Sequence, residues 1–325
     1  MTRLQRIGGL AAVAIAMLTG AVSVLAQTFP SRPVKIIVPF PPGGSADAVA
    51  RIIAQKVSEE WQQPVLVENK PGGGTIIAST YVAGSAPDGY VLYLIGVITH
   101  ASSGVLYKNL SFDALKSFAP VGQISVSPFV LVVNSSITAN TVKELVELAK
   151  SKPGGLTYGS SGSGGGAHLA GYMLARATDI NLVHVPFKGT APAVASALGG
   201  QVDLLIADIS VMPHVRSGKL RALAVTTARQ SPLVPGVPTL ADAGVTGVEV
   251  PSATGILAPA GTPREIVMKI NASMNRALSA ADVRQRLSSQ GFDSAPTTPE
   301  EFSAFIAAEY QKYSRIIPEA GVKID

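Results

Sequence analysis

"IIVPFPPGGSADAVAR", residues 36–51, decides how the rest of the chain is read. Ile36, Ile37 and Val38 continue an apolar run of strand type, and from Ser45 onward Ala46, Val49 and Ala50 recur with helical spacing. Between the two, Pro39, Pro41 and Pro42 stiffen the exit from the strand, while Gly43 and Gly44 let the backbone come close to another atom. Ser45 is placed to cap the helix. Such strand-to-helix corners build open parallel sheets, whose ligands collect at the carboxyl ends of the strands. The exposed N–H groups of the first helical turn make this corner an anion site by geometry and dipole, although the same residues serve any tight turn. Asp47 also has two readings: it neutralises the helix end and pairs with Arg51 at i+4, or it receives a cationic or hydroxyl group of a ligand.

Outward from this corner the pattern is βαβαβ: strands at 34–38, 65–67 and 91–95, with helices at 45–61 and 75–82. It restarts as a second α/β unit with strands at 129–133, 156–158, 183–185 and 202–207 and helices at 142–150, 167–177 and 191–198. A strand at 222–225, a Pro/Gly-rich segment at 232–238 and a strand near 256–258 follow. The tail is then helical over 263–278, 283–287 and 299–316, with Thr262 and Thr298 as caps ahead of Pro263 and Pro299. A helix-rich tail needs a sheet to pack on, and returning it to the first unit is the economical solution. The expected division is lobe 1 from 27–127 and 255–325 and lobe 2 from 128–254, each a mostly parallel sheet flanked by helices. Two chain crossings then form a hinge with a cleft between the lobes.

Residues 1–26 read as a removed signal peptide, with Arg3 and Arg6 ahead of an apolar run and small-residue cleavage after Ala26; a retained anchor is the alternative. No Cys occurs in the 325 residues, which excludes a disulfide framework and thiolate metal ligation. The net charge of +5 falls to +3 without the two leader arginines, and the basic residues are scattered, so nucleic acid is not an expected partner. The four His residues, 100, 168, 184 and 214, show no metal-ligand spacing, and neither metal nor cofactor is expected.

A second corner, YGSSGSGGGAHL at 158–169, opens from a strand through Ser160, Ser161, Gly162, Ser163 and Gly164 into a helix carrying His168. Hydroxyls and bare N–H groups at a helix start suit a carboxylate. The loop fits a relaxed dinucleotide fingerprint at Gly162-x-Gly164-x-x-Ala167, but no acidic residue follows the next strand, and Ser163 stands where a nucleophile elbow needs glycine. An exported serine hydrolase using Ser161 or Ser163 with His168 is the enzymatic alternative. His168 is otherwise a capping or packing residue. Further candidates at strand ends are Gly96 and Thr99, Lys188 and Gly189, and Asp208.

Taken in order, FPSRPVKIIVPFPPGGSADAVAR, VENKPGGGTIIA, APDGYVLYL, LYKNLSFDALKSFAPV, YGSSGSGGGAHLAG, VPFKGTAPAV, LGGQVDLL, GKLRALAVT, VPTLADAG and GILAPAGTP span nearly the whole chain after the leader. In these stretches the chain resembles the Bug, or tripartite tricarboxylate transporter, substrate-binding proteins of the periplasm. The resemblance implies a two-lobed, type II-like periplasmic binding fold that closes over a small organic carboxylate and is not an enzyme. It implies delivery of ligand to the membrane permease subunits of a tripartite tricarboxylate-type transporter; a sensory adaptor that presents bound ligand to a membrane kinase is a further alternative, and a monomer is expected. It points to Phe40, Gly43, Gly44, Ser45 and Asp47 on one side of the ligand. On the other it points to Ser160, Ser161, Gly162, Gly164 and His168, with Lys188, Gly189 and Asp208 beside them. Members commonly carry an aromatic shortly before GILAPAGTP, whereas Ser252-Ala253-Thr254 stands here and the single Trp is Trp61.

Overall fold

In the computed structural model, which describes residues 29–107 and 109–322, the run VKIIV forms β1 (Val34–Val38) at the heart of the first sheet. The proposed leader, residues 1–26, lies outside the described residues. Val34, Ile36, Ile37 and Val38 are all buried, as a strand covered on both faces demands. The chain turns into α1 (Ser45–Trp61) and pairs β2 (Val65–Asn69) parallel to β1, with Val34 opposite Val65. It then passes through α2 (Ile76–Ala83) and lays β3 (Val91–Gly96) parallel on the other flank of β1, with Lys35 opposite Val91. This reversal of direction around β1 is a topological switch point, and it opens a crevice at the carboxyl ends of β1 and β3.

After α3 (Val97–Leu106), β4 (Phe118–Ser127) joins the first sheet and the chain leaves it. The second sheet contains β5 (Val130–Asn134), β6 (Leu156–Ser160), β7 (Leu182–Pro186), β8 (Leu204–Ala207) and β9 (Leu220–Val225) in the order β7-β6-β8-β5-β9. Its helices are α4 (Val142–Ser151), α5 (Gly166–Thr178), α6 (Thr190–Leu198) and the short α7 (Met212–Arg216). Here the switch point lies between β6 and β8. β10 (Ser252–Pro259) returns to the first sheet between β3 and β4, and α8 (Arg264–Ser279), α9 (Ala281–Ser289), β11 (Asp293–Ser294) and α10 (Pro299–Glu319) complete the chain. The mostly parallel sheets expected from sequence hold for the βαβ halves. Around the crossings the pairs β10–β3, β10–β4, β5–β8 and β5–β9 are antiparallel, because strands that leave one sheet and come back run in opposite directions.

The two crossing segments stay tied to each other. Ser127 pairs with Ser252 at the end of the β4–β10 ladder, and Ser125 Oγ lies 2.6 Å from Thr254 Oγ1. Beyond it the Phe129 N–H donates to Thr226 Oγ1 at 3.2 Å, the Thr226 N–H to the Phe129 carbonyl at 3.0 Å, and the Val250 N–H to the Thr226 carbonyl at 2.9 Å. A pair of strands bonded in this way bends as one ribbon.

The tail returns to the first sheet as expected for α8 and α9. Trp61 Nε1–H donates to Ser273 Oγ at 2.8 Å, and Lys56 meets Asp282 at 3.1 Å. The last helix does more. Phe302 and Ile306 are buried with Tyr93 and Phe118 in lobe 1, whereas Tyr313 and Ile317 are buried in the cluster of Leu131, Leu169 and Leu174 in lobe 2. Twenty-one residues of helix reach about 30 Å, enough to span both lobes. Lys312 Nζ also donates to the Glu249 carbonyl beside the crossing, at 2.8 Å.

Thr298 caps this helix through a reciprocal capping box with Glu301, as its spacing predicts. Thr298→Ala is expected to cost about 1 kcal/mol in chemical denaturation, with an unchanged slope. Thr262 and Ser45 are not caps. Pro263 occupies the N-cap of α8 while the Thr262 hydroxyl turns back to the Pro259 carbonyl, and Gly44 occupies the N-cap of α1, leaving Ser45 as its first helical residue.

Candidate functional site

The loop after β1 presents its backbone. Gly43 has φ +83°, a conformation that favours glycine, and Gly44 caps α1 at φ −78°, ψ 171° with no side chain bonded to the helix end. The first intrahelical bond runs from the Ala48 N–H to the Gly44 carbonyl, so the N–H groups of Ser45, Ala46 and Asp47 have no partner within the helix.

Asp47 does not occupy them with its carboxylate. Its Oδ2 accepts from Arg51 Nε at 2.9 Å and from the Gly43 N–H at 3.0 Å, and its Oδ1 accepts from Asn69 Nδ2 at 3.0 Å. Asn69 Nδ2 also donates to the Phe40 carbonyl at 3.0 Å, so one buried carboxylate and one amide from β2 knit the loop from behind. Arg51 first, with the Gly43 and Asn69 donors, outweighs burial and lowers the Asp47 pKa to about 2. Of the two sequence readings of Asp47, the structure displays the Arg51 pairing.

A cavity of about 570 Å³ opens in front of this loop, lined by Phe40, Gly43, Gly44 and Ser45, by Gly96 and Thr99 from β3 and α3, and by Ser252, Thr254 and Phe292. Six of the predicted positions therefore meet at the first switch point. A second cavity of about 750 Å³ shares Ser45, Ser252 and Phe292 with it and continues between the lobes to Asp208, Ser210 and Arg216. Asp208 stands there at the carboxyl end of β8. Its carboxylate accepts from the Ser210 N–H and from Thr190 Oγ1, each at 3.0 Å.

Ser160, Ser161, Gly162, Gly164, His168, Lys188 and Gly189 line neither cavity. They form a cluster of their own at the second switch point. Ser160 is fully buried, with Oγ 2.7 Å from His184 Nε2, and accepts from the Gly162 N–H at 3.2 Å. The Gly164 N–H donates to His168 Nδ1 at 2.9 Å, and the Gly189 N–H to the Ser161 carbonyl at 3.1 Å. Ser161, Ser163 and Lys188 face solvent. Burial lowers the pKa of His168, and burial with repulsion from His168 lowers that of His184 to about 4.

The hydrolase constellation does not assemble. The hydroxyl that meets an imidazole is that of buried Ser160, on His184, while His168 Nδ1 is held by a backbone amide. Nucleophilic chemistry needs an accessible hydroxyl beside its base.

The two corners flank the same helix. Thr99 of α3 lines the first cavity, and its neighbour Ile98 fills, with Phe129, the space beside Gly166 at the start of α5. A Cβ at Gly166 would lie 2.6 Å from Phe129 and 2.8 Å from Ile98, so only glycine permits this contact. Sequence reasoning missed Phe292, in the loop before β11, Ser210, in the 3-10 turn after β8, and Arg216, at the end of α7, none of which carries a local motif. It noted Ser252 to Thr254 only as a departure from the family pattern.

Residues 49–322 match the model of the tripartite tricarboxylate transporter family receptor. The protein BugT of Bordetella pertussis (strain Tohama I) is 35% identical over 329 residues, covering 100% of this chain and 99% of BugT. Solved structures are also similar, among them the following two. An R. palustris protein solved with adipate is 32% identical with a TM-score of 0.75, covering 91% of this chain and 99% of its own. MatC from Rhodopseudomonas palustris, solved with bound malate, is 33% identical with a TM-score of 0.71, covering 89% and 100%.

Proposed function

The chain belongs to the tripartite tricarboxylate transporter receptor family, and on that premise we propose that it is a periplasmic receptor for a small organic carboxylate, which it passes to the membrane subunits of such a transporter. The observation that carries the ligand class is the cradle at Gly43 to Asp47. The backbone N–H groups of Ser45, Ala46 and Asp47 at a helix N-terminus are unpartnered within the helix, and Ser45 and Ala46 line a cavity of about 570 Å³. A carboxylate accepts several such bonds at once. The acids bound by the two R. palustris neighbours are of the same chemical class.

Ligand first meets lobe 1, held by Phe40, Gly43, Gly44 and Ser45 with Gly96 and Thr99. Closure about the paired crossing strands then brings the second-lobe loop, Ser160 to Gly164 with Lys188, Gly189 and Asp208, over it. Only the closed form contacts ligand from both sides, so ligand shifts the population toward it. The lobes move as the units 27–127 with 255–325 and 128–254, except that the end of α10 from Tyr313 onward packs on lobe 2 and moves with it, in a monomer delivered to the periplasm with removal of residues 1–26. Nothing in this cycle requires bond-making chemistry.

A thermal-shift panel of mono-, di- and tricarboxylic acids, sugars, amines and amino acids tests the assignment. An acid at ten times its dissociation constant is expected to add about 1.4 kcal/mol of stability. Stabilisation by sugars or amines alone would overturn the carboxylate assignment.

A further inference from the structure

The second-lobe loop is braced by two histidines that lie face to face. The rings of His168 on α5 and His184 on β7 stack at 3.8 Å with 6° between their planes, and Tyr158 of β6 lies against His184 at 4.8 Å. The Tyr158 hydroxyl donates to the His168 carbonyl at 3.0 Å. Each imidazole holds a different part of the loop. His184 Nε2 reaches Ser160 Oγ, which in turn accepts from the Gly162 N–H, while His168 Nδ1 accepts from the Gly164 N–H. Gly162 and Gly164, at φ +146° and +76°, are the two points at which the loop turns.

We infer that His184 is a positioning residue for the ligand loop, acting through Ser160, and that it works with His168 as a stacked pair whose uncharged form holds residues 160–164 in shape. This rests on the carboxylate-receptor reading only for the effect on affinity; the effect on the loop stands without it.

The proton arithmetic follows from the hydrogen bonds. Nδ1 of His168 accepts, so the neutral ring carries its hydrogen on Nε2, and a second proton on Nδ1 would face the Gly164 N–H donor to donor. Two charged rings 3.8 Å apart also repel. The titratable side chain that faces the pair from the remaining packed element is Tyr158, which burial keeps protonated; besides the two rings, no charged group acts on either imidazole among the described residues. Both pKa values are lowered in the folded chain. The brace is therefore intact above the ordinary imidazole range and weakens as the pH falls: charging His168 breaks the Gly164 bond, while charging His184, near pH 4, sets two positive rings face to face although its Nε2–H can still donate to Ser160 Oγ.

Two measurements test this. In the first, nitrogen-resolved NMR of the ligand-free protein follows both imidazoles and the Gly162 and Gly164 amides from pH 8 to pH 4. The Gly164 amide is expected to shift along the His168 titration curve and the Gly162 amide along that of His184. Amides that stay put while the rings charge would overturn the brace. In the second, malate and adipate affinities are compared at pH 7.5 for wild type, His184→Phe and His184→Gln. The phenyl ring keeps the stack but loses the Ser160 bond, and affinity is expected to fall about fivefold. Glutamine, which can bond to Ser160, is expected to recover most of that loss, and equal affinities for phenylalanine and wild type would overturn the role of His184. If neither acid binds wild type, the carboxylate reading fails for these ligands, and the NMR titration alone decides the brace.

Discussion

Ser45→Pro is expected to weaken carboxylate binding by roughly 10- to 100-fold while leaving the melting temperature nearly unchanged. Ser45 is the first helical residue of α1, where proline fits because its missing N–H has no acceptor in the helix. The residue before it, Gly44, sits at ψ 171°, within the extended region that a following proline requires. The substitution therefore deletes one donor of the cradle without disturbing the fold. A hydrogen bond to a charged group contributes about 1.5–3 kcal/mol, which corresponds to the stated range. Ser45→Ala separates the side chain from the backbone, since it removes only the hydroxyl. Calorimetry on the two variants decides the matter: unchanged affinity in Ser45→Pro would show that the carboxylate does not use this amide.

That prediction depends on a corner that could be read from the sequence almost to the residue. Two glycines after an apolar strand, followed by apolar positions at helical spacing, fix the start of α1, and its limits of Ser45 and Trp61 agree with the pattern. Other parts carry no such local signature. Residues 97–106, VITHASSGVL, carry no helix assignment from sequence, which takes only Gly96 to Thr99 as the end of the third strand. They form α3 because Val97, Ile98 and Ala101 find buried partners and the Ser103 hydroxyl folds back onto the Thr99 carbonyl at 2.7 Å. β4 is ten residues long, yet Pro120 and Gly122 inside it argue against a strand. Its antiparallel partner β10, read from sequence only as a strand near 256–258, lies more than a hundred residues away, and neither segment shows the pairing.

The site shows the same division. Gly43, Gly44, Ser45 and Gly96 follow from the rule that ligands gather where strand order reverses. Phe292 and Ser252 enter the cleft only because the tail returns to the first sheet and the crossing strands pair there. The His184 contact depends on register, since β6 and β7 run parallel with Tyr158 opposite His184, and a one-residue slip would send the ring to the other face. Asp47 was recognisable as a partner of Arg51, but its bond to Asn69 required knowing that β2 lies beside β1.

Asp47→Asn is expected to cost about 2 to 3 kcal/mol at pH 7 and to lower ligand affinity at least tenfold. The carboxylate accepts from three donors, the Gly43 N–H, Arg51 Nε and Asn69 Nδ2. An amide of the same shape satisfies some of them and sets its own N–H₂ against another, which leaves buried donors facing one another. Because Arg51 is half in solvent, the loss falls below that of a fully buried ion pair. Gly43 would then be released from behind, and with it the orientation of the amides that follow. The pH dependence has a definite sign. The Asp47 pKa is lowered from 3.8 to about 2, so its contribution is fully present above the unfolded value and is lost as the pH falls through about 2. The stability gap between wild type and Asp47→Asn should thus be constant from pH 7 down to about pH 5 and narrow between pH 4 and pH 2. Urea denaturation across that range checks it, and a gap that widens in acid would mean that the carboxylate is not held by Arg51 and the loop amide in solution.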